Sequence, residues 1–203
     1  MSHTHRLFCA GLLALAAGAA AAQDASPVYV GAAYAVGSNY SLGCEAGDSC
    51  HTHASSGGKL YAGYTLGSSS TFGIDSTHAI ELGFYEVGHS REVTPYGYID
   101  SSASGATLTY ASSVKLTDAW SLNARLGAGY AHATSYVVDT VDHSSYARNA
   151  HDAFGVTGGF GVAYAIDKHW SLNADMDYLP LKFGSEGPRD HVNMMSVGAA
   201  YHF

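Results

Sequence analysis

The sequence predicts an all-β fold, an eight-stranded antiparallel transmembrane up-and-down β-barrel. Three observations carry that expectation: alternating segments that recur eight times, connections of alternating length, and a scarcity of charge. Charged residues are 13% of the 203-residue chain, against about 25% in ordinary soluble domains. Beyond the amino terminus no apolar run is long enough to span a bilayer as a helix, which needs about 20 residues. Passage through lipid then falls to strands in a closed barrel, the other structure that pairs every backbone polar group.

The amino terminus reads as an export signal. Arg6 precedes an apolar run from Leu7 to Ala22, and the small residues Ala20, Ala21 and Ala22 precede Gln23, the layout a signal peptidase recognises. Cleavage is expected after Ala22, leaving residues 23–203 as a single barrel domain. Cys9 lies early in the apolar run without a lipobox, so no lipid anchor is expected. Removing the signal takes away Arg6 and no acid, moving the net charge from -8 to -9, which argues against a nucleic-acid partner.

Each of eight segments sets apolar or aromatic residues against small or polar ones at a period of two, the mark of a strand with unlike faces. They are 28–37, 58–67, 78–88, 106–116, 120–134, 153–166, 170–182 and 192–203. Within 120–134, for example, Trp120, Leu122, Ala124, Leu126, Ala128 and Tyr130 oppose Ser121, Asn123, Arg125, Gly127 and Gly129. The connections are long at 38–57, 89–105, 135–152 and 183–191 and shorter at 68–77, 117–119 and 167–169. Long outer loops and short periplasmic turns are the expected asymmetry of an outer-membrane barrel.

Two short turns repeat one another. The stretch from Leu116 to Ala124 matches that from Ile166 to Ala174 at a spacing of 50, each with Trp-Ser-Leu-Asn-Ala after the turn. Trp120 and Trp170, with Tyr201 and Phe203, suit the lower membrane interface, where an amphipathic ring is stable at headgroup depth.

A soluble barrel would put charge outside and bulky apolar groups inside. Here the charges share the face of the small residues: Lys59, Glu81, Lys115, Arg125, Asp175 and Asp177 lie among Gly, Ala, Ser and Thr. A narrow polar lumen is expected, with those six residues forming a charge network whose pairing the pattern leaves open. Glu86, Ser112 and Pro180 fall on the lipid-facing parity, so bulges or strand ends are expected there.

The opening Val28-Tyr29-Val30-Gly31-Ala32, the Leu116-Thr117-Asp118 turn and the ending Val197-Gly198-Ala199-Ala200-Tyr201-His202-Phe203 resemble the OmpA-like and OmpX-like outer-membrane barrel family over the whole mature chain. The resemblance implies a monomer in the bacterial outer membrane, in contact with its lipid and lipopolysaccharide. It implies insertion by the barrel machinery through the terminal Tyr201-x-Phe203. It also implies a task among structural barrel, narrow gated pore, and adhesin or serum-resistance factor binding a host or surface ligand. An acid and base pair gates the lumen in that family, and Glu81 and Arg125 match it by parity.

Cys44 and Cys50 read first as a disulfide closing a short loop in an exported chain. With His51 and His53 they could be drawn as a metal site, a weaker reading because exported thiols are usually oxidised. No metal or other cofactor is therefore expected. Loop residues Tyr40, Tyr96, Tyr98, Tyr136 and Tyr146, with Arg91, Arg148 and Arg189, are candidate contacts for a surface ligand. Catalysis is not expected: of the lipid-face candidates, Ser112 lies opposite Ala124, and His132 is eight residues further on, about 27 Å at ~3.4 Å per residue.

Overall fold

The computed structural model describes residues 26–40, 53–54, 56–71, 73–94, 97–139, 145–181 and 190–203. The expected export signal and both loop cysteines lie outside the described residues. The strands are β1 (Val28–Tyr40), β2 (His53–Ala54), β3 (Gly57–Thr71), β4 (Ile74–Thr94), β5 (Gly97–Lys115), β6 (Trp120–Asp139), β7 (Ser145–Ala165), β8 (Trp170–Leu181) and β9 (Asp190–His202). Among the described residues β1 and β3–β9 pair antiparallel in chain order, and β1 pairs β9 to close the ring of eight. The two-residue β2 adds to the upper end of β1 through Ser38–Ala54 and Asn39–His53.

The predicted parity holds through the membrane band. Leu60, Leu82, Leu108, Leu126, Val156, Phe160, Leu172 and Val197 all face outward and are exposed. From Trp120 to Tyr130 on β6 the rise is about 26 Å at ~3.4 Å per residue and a tilt near 40°, the height of an outer-membrane apolar band. Lower aromatics pack around that edge, Trp120 tilted against Tyr164 and Trp170 edge-on to Tyr201, both at 5.0 Å between ring centroids. Tyr201 also meets Phe203 edge-on at 5.0 Å, and Phe203 closes the seam by donating its N–H to Val28 and accepting from Ser26.

The 50-residue repeat is a repeat of turn geometry. Thr117 Oγ1 accepts from the backbone N–H of Ala119 at 3.3 Å and Trp120 at 3.0 Å, and Asp167 Oδ1 accepts from His169 and Trp170, both at 2.7 Å. Those two N–H groups hold the exposed Asp167 carboxyl below the usual carboxylate range. Each side chain satisfies donors that the turn takes out of the ladder.

The structure departs from the expected loop lengths. The β4–β5 ladder continues to Thr94–Gly97 and the β6–β7 ladder to Val138–Ser145, so most of 89–105 and 135–152 is strand. The β3–β4 turn is also tight, the ladder running to Thr71–Ile74 with Gly73 at φ 77. Above the apolar band the inward face stays buried but is built of small residues such as Ser90, Ser101, Ala103 and Ala133, and the outward face is polar, so apolar alternation is lost while the backbone ladder persists.

The three awkward positions resolve differently. Glu86 stays outward, and the register slips just above it between Glu86 and Gly88. Val87, at the bulge, keeps the inward parity of Glu81 and Tyr85 and is fully buried, with Gly88 at φ 89. Ser112 pairs His78 and Ala124 in unbroken register. At Pro180 the strand leaves the wall: the β7–β8 ladder ends at Gly158–Tyr178, whereas β8–β9 continues to Leu181–Asp190. The β8–β9 end leans inward, and Pro180 faces the inward glycines Gly129 and Gly155.

Glycine makes room inside this narrow barrel. Gly159 and Gly161 pair with Asp177 and Asp175, and a Cβ at either would strike the facing carboxylate. Gly161→Val is expected to cost about 1–3 kcal/mol through overpacking, whereas Gly37→Ala, with nothing within 4 Å of its new Cβ, should stay within about 0.5 kcal/mol. Urea unfolding midpoints in lipid vesicles check both.

Candidate functional site

The lumen has three layers, set by which side chains the strands point inward. At mid-height β3 supplies Lys59, β4 Glu81, β6 Arg125 and β8 Asp175 and Asp177. Lys59 Nζ lies 2.6 Å from Asp177 Oδ2 and 3.3 Å from Asp175 Oδ2. Arg125 Nη2 lies 2.7 Å from Asp175 Oδ1 and 3.3 Å from Asp177 Oδ1, while its Nε is 3.9 Å from Glu81 Oε1. Both carboxylates of β8 thus bridge both cations. Tyr29 donates its hydroxyl to Glu81 Oε2 at 3.0 Å, and Asn173 donates to Asp175 Oδ2 at 3.1 Å and to the Tyr61 hydroxyl at 2.9 Å.

Every charged side chain of this layer is under one-tenth exposed. Charges so removed from water persist only when paired and hydrogen-bonded. Two cations face three carboxylates, leaving one negative charge (2 − 3 = −1), and the Tyr29 hydroxyl is positioned to stabilise it at Glu81.

Five of the six residues expected in the lumen network are brought together; Lys115 is not. It is the last residue of β5 and lies at the turn, with its Nζ 3.1 Å from Asp118 Oδ1 and its side chain 53% exposed. The pattern of alternation ran one residue too far into the turn to separate it from the lumen charges.

Below the charge layer a cavity of about 320 Å³ is lined by Tyr29, Tyr61, Glu81, Arg125, Asn173 and His202. Above it Tyr85, Val87, Leu179, Leu181, Val192 and Met194 form a buried apolar cluster. Between the two lies a void of about 20 Å³, bounded by Lys59, Asp177, Leu179 and Met194, room for roughly one water. The apolar residues of the cluster keep the inward parity of their strands, Val87 after Tyr85 and Leu179 and Leu181 after Asp177, so the lumen expected to be polar is apolar in its upper part.

A family model described as an outer membrane protein beta-barrel domain matches residues 7–203. The chain belongs to this outer-membrane barrel family. The barrel therefore resides in the bacterial outer membrane, its apolar wall in the lipid. Among solved structures it is similar to the attachment invasion locus protein Ail of Yersinia pestis, at 17% identity and TM-score 0.55, covering 88% of this chain and 99% of that one. A second Ail structure, in complex with the heparin analogue sucrose octasulfate, matches at 18% identity and TM-score 0.53, covering 87% and 97%. Neisserial surface protein A matches at 18% identity and TM-score 0.49, covering 89% and 100%. No curated protein matches the sequence. At these identities the likeness is one of fold.

Arg125→Met leaves three buried carboxylates with one cation and is expected to cost about 3–5 kcal/mol, whereas Lys115→Met breaks only an exposed pair and should stay within about 0.5 kcal/mol. Equilibrium unfolding of the two variants in the same vesicles checks the contrast.

Proposed function

We propose that the barrel has an envelope-structural role as a closed scaffold, its lumen sealed against solutes. The observation that carries this reading is the stacking of the charge layer beneath the apolar cluster of Val87, Leu179, Leu181, Val192 and Met194. An ion crossing would have to displace the Lys59 and Arg125 pairs and then pass a closely packed apolar cluster, losing most of its hydration. The reading needs no chemistry in the lumen and no cofactor.

The remaining expectations fit the same scaffold. Export by cleavage after Ala22 delivers the chain, and the β9 end at Tyr201 and Phe203 offers the insertion machinery its signal. Pairing of β1 with β9 removes the free strand edge that drives oligomerisation through ladders, which supports a monomer. A Cys44–Cys50 disulfide would brace the first outer loop.

A second reading, recognition of a host or surface ligand, is favoured by the height of the rim. The β4–β5 and β6–β7 ladders rise past Tyr130 and carry Tyr98 and Tyr136 above the band. Binding lost when those hairpin ends are replaced would support it.

Single-channel recording tests the closed scaffold against a gated pore. Folded wild-type protein in a planar bilayer is expected to be silent, and Glu81→Ala equally so, because the apolar layer above is untouched. Reproducible wild-type openings that change in Glu81→Ala would overturn the closed scaffold and make Glu81 and Arg125 a gate.

A further inference from the structure

The outer wall carries a polar row that the lumen account does not use. Register aligns Glu86 with Ser104, Ser104 with His132 and His132 with Asp152, on four consecutive strands. All four point outward and are exposed. The row lies one rung above Tyr130 and Phe154, where the apolar band ends.

The row is ordered by hydrogen bonds. His132 Nδ1 lies 2.7 Å from Asp152 Oδ1, and Tyr130 donates its hydroxyl to the same oxygen at 2.7 Å. A carboxylate only accepts, so Nδ1 carries a proton, and in the neutral imidazole Nε2 is then the acceptor. The two donors hold the Asp152 carboxyl below the usual carboxylate range. Nδ1 meets Asp152 on β7, and on the other side of β6 the register partner of His132 is Ser104 on β5. Directly opposed residues have Cβ atoms about 4.5–5.5 Å apart, within reach of a serine hydroxyl and an imidazole nitrogen. Among the described residues the Ser104 hydroxyl has no hydrogen bond, to His132 or to any other group; the two are register neighbours, and their contact is one that tightens in the substrate complex.

Two further features belong to the same place. One rung higher, Ser102 and Thr134 share a hydroxyl–hydroxyl hydrogen bond of 3.0 Å. That pair uses one of its two hydrogens internally and keeps one to donate. Beside the row runs an open groove of about 980 Å³ that includes Ser104 and His132. Ala32, Gly58 and Ala106 lie along it, between Tyr34 and Phe84. Small residues flanked by rings give a trough for an alkyl chain lying against the wall in the outer leaflet.

We propose that Ser104, His132 and Asp152 form a hydrolytic site on the lipid-facing wall that cleaves fatty acyl esters of outer-leaflet lipids. Ser104 is the nucleophile, His132 the general base and acid, and Asp152 a positioning residue. His132 Nε2 takes the Ser104 proton as Oγ bonds to the ester carbonyl carbon. Collapse breaks the carbon–oxygen bond to the alcohol, which leaves with the proton from His132. Water then attacks the acyl-serine, giving its proton to His132; the carbon–Oγ bond breaks and Ser104 regains its proton. The balance is ester plus water to fatty acid plus alcohol, with no other reactant. This goes beyond the structural role and is independent of the lumen.

Glycerophospholipids and lipopolysaccharide both present acyl esters at this depth. The full chain, folded in phosphatidylethanolamine and phosphatidylglycerol nanodiscs with and without purified lipopolysaccharide, is assayed for released fatty acid and for labelling by an alkyl fluorophosphonate. The expected result is release, with label mapped to Ser104 by mass spectrometry. Release in lipopolysaccharide-free discs assigns glycerol esters, and release only with lipopolysaccharide assigns acyl esters of lipid A. Ser104→Ala and His132→Ala should abolish both signals, while Ser112→Ala keeps them. Asp152→Asn should lower kcat about 100-fold or more with KM unchanged, and Asp152→Glu should recover part of it. Heat-shifted electrophoretic mobility reports folding of every variant. Folded wild-type protein that neither releases fatty acid nor takes the label overturns the proposal, as does release that persists in Ser104→Ala.

Discussion

Charges buried at the waist of a narrow barrel have to be paired there, because neither lipid outside nor bulk water inside can solvate them. The layer of Lys59, Arg125, Glu81, Asp175 and Asp177 meets that constraint by letting each β8 carboxylate touch both cations. It ties β3, β4, β6 and β8 together across the lumen, a connection that hydrogen-bonded neighbours around the ring cannot supply. The rest of the interior follows from it. Gly159 and Gly161 stand where the carboxylates need space, the hydroxyls of Tyr29 and Tyr61 point at the layer, and the apolar cluster above excludes water from its upper side.

Legibility in the sequence followed where two environments differ. Through the apolar band one face meets lipid and the other a polar lumen, so Leu122, Leu126 and Arg125 announce their sides, and strand count, direction and most of the charge layer could be read. Above the band the buried inward face is built of small residues, Ser101 and Ala133 among them, and the outward face is polar, so Ser101, Ser102, Thr134 and Ser135 carry no apolar alternation and continuing hairpins read as loops. The same loss of contrast hid the outward row. While 89–105 stood as a loop, Ser104 had no register, and His132 was compared with Ser112, which the structure places opposite Ala124. Lys115 failed in the other direction, its parity matching the lumen while its place at the strand end took it to Asp118.

The inward lean of β8 depends on a local feature that no period reveals. Pro180 lacks an N–H and cannot complete a ladder with β7, and the facing Gly129 and Gly155 leave space for its ring. A strand end becomes a plug: Leu179 and Leu181 keep the inward parity of Asp177, and Pro180, of outward parity, is buried with them. The outer wall, by contrast, stays regular, and the Ser104, His132 and Asp152 row inherits its rigidity from unbroken ladders on β5, β6 and β7. A structural barrel and a chemically competent outer surface can therefore coexist on one scaffold.

The central claim is that the buried charge layer acts as one unit, and a double-mutant cycle on Lys59 and Asp177, their atoms 2.6 Å apart, tests it most directly. Unfolding free energies in lipid vesicles would be compared for Lys59→Met, Asp177→Leu and the two combined. The account predicts that the combined variant is more stable than the sum of the single losses by about 1–3 kcal/mol, since each single change strands a buried charge. Additive losses, within about 0.5 kcal/mol, would contradict it.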